Sequence, residues 1–135
     1  MPNNSLLPKK NYYGYPVRTE SPSEADYFYN NQNVSGMATE DGAIIFNPYS
    51  KGRNMDAVGK NEAARLWLRE KKAVPEFSVT KEQREYFKGT AYENDELNMK
   101  HTILGRIISE DPSAGKITPE QKKWADYLKN ELENR

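Results

Sequence analysis

Asn61, Glu62 and Arg65 stand close together in a run that is otherwise Ala, Leu and Trp. If that run is a helix, Glu62 and Arg65 are neighbours at i, i+3 on one face. Their ordinary outcome is a surface or half-buried ion pair worth about a few tenths of a kcal/mol. The sharper outcome is a half-buried Arg65 that receives a partner's carboxylate or phosphate, since Arg presents a planar fork of donors. The flanking AARLWL leaves few positions facing solvent, which is why Asn61, Glu62 and Arg65 are the candidate binding residues.

The other residues capable of chemistry do not assemble into a set. His101 is the single histidine, and near the line of Leu97, Leu104 and Ile108 it reads as a packed or boundary residue. Ser109 and Ser113 have Glu110 and Asp111 beside them, but GluAspProSerAlaGly reads as a helix-ending turn rather than a nucleophile elbow. Gly36, Gly42 and Gly52 are split by a strand and a turn, and no Gly-Lys-Ser/Thr follows a strand. The absence of cysteine excludes disulfides, thiolate metal sites and thiol nucleophiles. No catalytic residue, metal or cofactor is expected.

The elements that must position the cluster are legible around it. Met37 to Leu68 holds the strongest strand signal, Ile44-Ile45-Phe46, and the most apolar helix. Asp41-Gly42 between β-prone runs predicts a hairpin over about 34–47 with a two-residue type I′ turn. That register places Met37 and Thr39 on one face with Ile44 and Phe46. Asn47-Pro48 ends the second strand, and a helix follows from about Met55 or Asp56 to Lys72.

Three capping signals predict further helix starts: Ser21-Pro22-Ser23-Glu24, Thr80-Lys81-Glu82-Gln83 and Thr118-Pro119-Glu120-Gln121. A longer helix is expected from about Asn94 to Ser109, with Leu97, Leu104 and Ile108 on its apolar line. Trp124, Leu128 and Leu132 form the inward stripe of the last helix, with Tyr127 close by. The expected fold is α+β: one β-hairpin covered by about five helices in a single domain, 21–135. Residues 1–20, with Tyr12, Tyr13 and Tyr15 interleaved with Gly14 and Pro16, read as a mobile tail. The alternative is a tyrosine segment that docks on a partner or on the chain's own core.

Bulk properties narrow the function classes. The chain has 135 residues, no net formal charge and 36% apolar residues, with a mean hydropathy of −1.01. Residues 51–72 carry seven basic and three acidic side chains, an excess of four. That excess is modest for a nucleic-acid footprint and does not call for such a partner. No segment approaches the ~18 apolar residues of a membrane helix, and the N-terminus lacks the apolar run of a signal peptide. A soluble, cytoplasmic protein is expected.

Two resemblances add to this. A hairpin, a strand ending in Asn-Pro and a helix with Glu beside the first of two i, i+4 positions resembles the layout of small zincin-type metallopeptidases. Those enzymes place two His one turn apart to hold zinc, and the Glu polarises its water. Here Asn61 and Arg65 occupy the His positions, and Arg cannot give up its proton to a metal. Only Glu62 matches, so what the layout implies is a degenerate hydrolase relic centred on Glu62. Separately, GMATEDGAIIFNPYS with KNEAARLWL, and HTILGRIISEDPSAGKITPEQ, resemble blocks of a family of small proteins of bacteria and of tailed-phage or prophage genomes. The similarity spans about residues 25–135. It implies a virion, accessory or host-interaction role and assigns no activity and no site residues.

Together these point to a non-enzymatic, phage- or prophage-associated accessory protein, in the cytoplasm or on a virion, with a protein partner. The alternatives are the Glu62-centred hydrolase relic and weak nucleic-acid binding through residues 51–72.

Overall fold

The connection between Thr39 and Ala43 sets the register of the central hairpin. In the computed structural model, which describes residues 9–51 and 54–135, Thr39 N–H donates to Ala43 O and Gly42 N–H to Thr39 O. Glu40, Asp41 and Gly42 therefore form a three-residue loop, with positive φ at Gly42 and not at Asp41. This is the arrangement of a type I turn followed by a left-handed glycine, and it corrects the expected type I′ turn. The extra loop residue moves the pairing by one: Gly36 opposes Phe46, Met37 opposes Ile45 and Ala38 opposes Ile44. Ile44 and Phe46 thus share a face with Gly36 and Ala38 instead of with Met37 and Thr39, as a one-residue slip requires.

The described residues hold two hairpins, five α-helices and a short 3-10 helix at Pro112–Ala114, an α+β fold. β1 (Asn11–Tyr12) and β2 (Tyr15–Pro16) form the first hairpin, and β3 (Gly36–Ala38) and β4 (Ile44–Phe46) the second. The helices are α1 (Pro22–Asn30), α2 (Met55–Glu70), α3 (Lys81–Phe87), α4 (Glu96–Ile108) and α5 (Pro119–Glu133).

The first hairpin corrects the expectation of a mobile tail for residues 9–20; residues 1–8 lie outside the described residues. Tyr13 and Gly14 both carry positive φ, so the two-residue turn expected at Asp41-Gly42 occurs here instead. Tyr12 and Tyr15 are buried in the core, where they stabilise by the area of their rings. Beyond β2, Val17 bridges Ile44 in parallel and Arg18 N–H donates to Ile44 O, covering the outer edge of β4. Every residue of β4 is consequently buried.

The capping signals fold as read. Ser21 and Glu24, Thr80 and Gln83, and Thr118 and Gln121 each form a reciprocal capping box. The two glutamines are also joined to each other. Gln83 Nε2 donates to Gln121 Oε1 and Gln121 Nε2 to Gln83 Oε1, both at 2.8 Å, with both side chains buried. An amide serves here where a carboxylate could not, because each residue must donate as well as accept.

α2 is the central element and touches α4, α5, β1, β3 and β4. Its Ala63, Ala64, Trp67 and Leu68 meet Leu104, Leu128, Leu132 and the two tyrosines in the main core. α2 ends at Glu70, short of the expected Lys72, in a turn where Lys72 has positive φ. On α4 the expected apolar line is corrected at Leu97, which lies in the first turn and is 41% exposed; the buried stripe begins at Met99. Among the described residues, no helix is long and apolar enough to cross a membrane.

Candidate functional site

Asn61, Glu62 and Arg65 all line one cavity of about 470 Å³, together with Ser35, Gly36 and the Ser109–Pro112 turn. Glu62 and Arg65 also line a larger open cleft of about 1350 Å³ between the second hairpin and α2. α2 turns Glu62, Arg65 and Arg69 toward this side because they recur three and four residues apart on one helical face.

Asn61 points at α4. A Cβ on Gly105 would overlap Asn61 Oδ1, so the absence of a side chain at Gly105 lets the two helices approach.

Arg65 is directed inward and its donors are committed. Nη2 donates to Thr102 Oγ1 at 2.7 Å and Nη1 to Asn98 Oδ1 at 3.4 Å, while the guanidinium carbon lies 5.5 Å from the Tyr92 ring centre. Thr102 in turn donates to Asn98 O and Asn98 Nδ2 to Asp95 Oδ2, so the charge is held by a chain of polar groups on α4. A guanidinium stacked and bonded in this way is a structural clamp between α2 and α4, with little left for an incoming anion.

Glu62 is the unusual member. Its side chain is 12% exposed, yet the nearest cationic atom, Arg65 Nε, is 3.8 Å from Oε1. Among the described residues no donor is within hydrogen-bonding reach of its carboxylate. Burial pushes its pKa up, and the charges of Arg65 and Arg69 oppose that without cancelling it. The result is a carboxylate at the wall between two cavities, paired with Arg65 only at 3.8 Å and, among the described residues, without a hydrogen-bond donor.

Arg69, one turn beyond Arg65, was not among the candidates. Its Nη1 donates to Ala38 O at 3.0 Å, tying α2 to the free side of β3. The pairing explains why that carbonyl is available. Thr39 N–H donates to Ala43 O and Asn47 N–H to Ser35 O, so alternate residues 35, 37 and 39 bond toward β4. Gly36 and Ala38 therefore turn their N–H and C=O away from β4 and into the cleft. Of these, only Ala38 O has an acceptor's role filled among the described residues. The charge spacing of Glu62, Arg65 and Arg69 could have shown Arg69; the strand edge could not be read without the register.

Charge in the cleft is correspondingly lopsided. Glu24, Glu40, Asp41, Glu62 and Glu70 line it against Arg65 and Arg69. Glu24 and Asp41 are gripped by Arg18, which donates to both carboxylates and holds each down to about 2.

His101 is buried and its Nε2 lies 3.0 Å from the carbonyl of Ala73, so that nitrogen carries the proton and donates. Burial lowers its pKa, and no serine or carboxylate among the described residues is bonded to it. Ser109 Oγ donates to Arg106 O. Of the basic segment 51–72, Arg65 and Arg69 are turned to internal acceptors. Among the described residues no group of three His, Asp or Glu is placed to hold a metal ion.

Compared with known proteins, the chain matches no family model, no curated protein and no solved structure.

Proposed function

We propose that this chain is a non-enzymatic interaction protein, and that the cleft between the β3–β4 hairpin and α2 is where it receives a protein partner. The observation that carries the reading is the edge of β3 in the cleft, where Gly36 and Ala38 present backbone groups that β4 does not use. Unpaired strand edges are templates for another chain, and proteins usually cover or blunt them. A phage- or prophage-linked accessory role is the setting we propose for this contact, on the resemblance of the two sequence blocks. A photo-crosslinking residue at Met37 in the cleft, compared with one at exposed Lys129 on α5, tests it in host extract. A discrete adduct from position 37 and none from 129 is expected; equal labelling, or none from either, overturns it.

A second reading keeps Glu62 as the remnant of a hydrolytic site, favoured by its raised pKa beside a cavity that also contains Ser109. It requires that Glu62→Gln abolish a hydrolytic activity of the purified chain. A hydrolysis that Glu62→Gln leaves unchanged removes this reading.

A further inference from the structure

The reading of the cleft as a binding surface leaves its occupant open, and the geometry narrows it. Resting on that reading, we propose that the cleft takes an extended peptide segment that adds as a strand to β3 and carries a Lys or Arg side chain to Glu62.

Three observations converge. The backbone groups that β4 leaves unused are Gly36 N–H, Gly36 C=O and the N–H of Ala38, itself only 5% exposed, with Arg69 holding Ala38 C=O. A residue laid beside Met37 can donate to Gly36 C=O and accept from Ala38 N–H, which is the hydrogen-bond pattern of strand addition.

The side-chain direction follows from the pleat. A Cβ on Gly36 would lie 3.9 Å from Glu62 Cγ, so the face that Gly36 shares with a neighbouring strand is the one on which Glu62 stands. A side chain next to Gly36 on an added strand sits about 5 Å away on that same face. A Cβ at position 36 would also meet Val58 Cγ1 at 2.8 Å, so the bare Gly36 is what lets α2 bring Glu62 up to this edge.

The third observation is charge. The guanidiniums at the cleft are occupied: Arg65 by Thr102 and Asn98, Arg69 by Ala38 O, Arg18 by Glu24 and Asp41. Glu62, and exposed Glu40 at the rim, remain as carboxylates without a hydrogen-bonding donor among the described residues. An acidic segment would meet these carboxylates unpaired, whereas a basic one satisfies Glu62.

The test uses the full chain and three short fluorescent peptides of alternating Thr and Val. One has a central Lys, one a central Glu, and the third is the Lys peptide with alternate amides N-methylated. Binding is read by anisotropy and by hydrogen exchange at Gly36 and Ala38. The Lys peptide is expected to slow exchange at both amides and to bind roughly tenfold tighter than the Glu peptide, with the N-methylated peptide silent. Glu62→Gln should shrink that ratio to about twofold while the amide protection survives at higher peptide concentration. Equal binding of the Lys and Glu peptides overturns the charge assignment. Absence of protection at Gly36 and Ala38 with any peptide at millimolar concentration overturns strand addition. If the Met37 crosslink still forms in that case, the cleft remains a contact surface with a different mode of docking; if it fails too, both readings fall.

Discussion

Tyr12 and Tyr15 face each other across a two-residue turn, and their hydroxyls donate to carboxylates at opposite ends of α2. Tyr12 reaches Asp56 Oδ1 and Tyr15 reaches Glu70 Oε2, each at 2.9 Å. Burial and these acceptors push the Tyr12 phenol up to about 12 and raise Tyr15 as well. Arg135 completes the seat, lying 3.7 Å over the Tyr15 ring and donating to Tyr13 O.

The first hairpin is therefore part of the folded body. Removing residues 1–20 is expected to destabilise the chain, and Tyr12→Ala alone to cost about 3–5 kcal/mol in urea unfolding, the usual range for emptying a large aromatic site. Tyr12→Phe, which keeps the ring and removes the donor to Asp56, should cost about 0.5–1.5 kcal/mol. A truncated chain as stable as the intact one would show that the hairpin does not hold α2.

Gly105→Ala tests the crossing of α2 and α4. On an isolated helix the change would stabilise by about 1 kcal/mol. Here the new Cβ overlaps Asn61 Oδ1, so the expected sign is reversed, with a loss of about 1–3 kcal/mol. Adding Asn61→Ala should recover most of it, and a strictly additive pair would place the two residues apart.

The buried glutamine pair gives a third prediction. Gln121→Glu preserves the capping acceptor but removes the donor to Gln83 Oε1 and Ser78 O. A loss of about 1–3 kcal/mol at neutral pH is expected, although Glu is the commoner residue in a surface capping box. Unchanged thermal stability would show that the amide pair is not formed.

The pH dependence separates Glu62 from Arg18's two carboxylates. Glu62 has a raised folded-state pKa, so its stability is complete below the unfolded value near 4.5 and is lost as pH rises through the folded value. Glu62→Gln should therefore gain on the native chain as pH rises above 4.5. Glu24 and Asp41 behave oppositely: their folded values near 2 lie below the unfolded values of 4.5 and 3.8. Their contribution is present above those values and lost as pH falls toward 2, so Arg18→Ala should flatten the acid limb of the unfolding midpoint against pH. Parallel profiles for all three chains would contradict both assignments.

How much of this could be read in the sequence depended on the range of the interaction. Capping boxes at Ser21, Thr80 and Thr118 are decided within four residues, so their signals were complete. The hairpin was visible from Asp41-Gly42, but its register turned on whether Thr39 or Glu40 closes the loop, and composition does not distinguish these. Tyr12 and Tyr15 resembled a polar, turn-rich tail because their partners Asp56 and Glu70 lie 44 and 55 residues away. The cluster Asn61, Glu62 and Arg65 was identifiable from charge inside an apolar run. Which member is spent and which is left was not, since that depends on Thr102, Asn98 and Ala38 arriving from other elements.

The open edge of β3 underlies the functional account, and amide hydrogen exchange of the free chain measures it residue by residue. Slow exchange at Met37 and Thr39 with fast exchange at Gly36 and Ala38 is the alternation expected of a strand paired on one side only. Equal protection at all four amides would mean that the edge is already covered, and the cleft would have no strand position to offer.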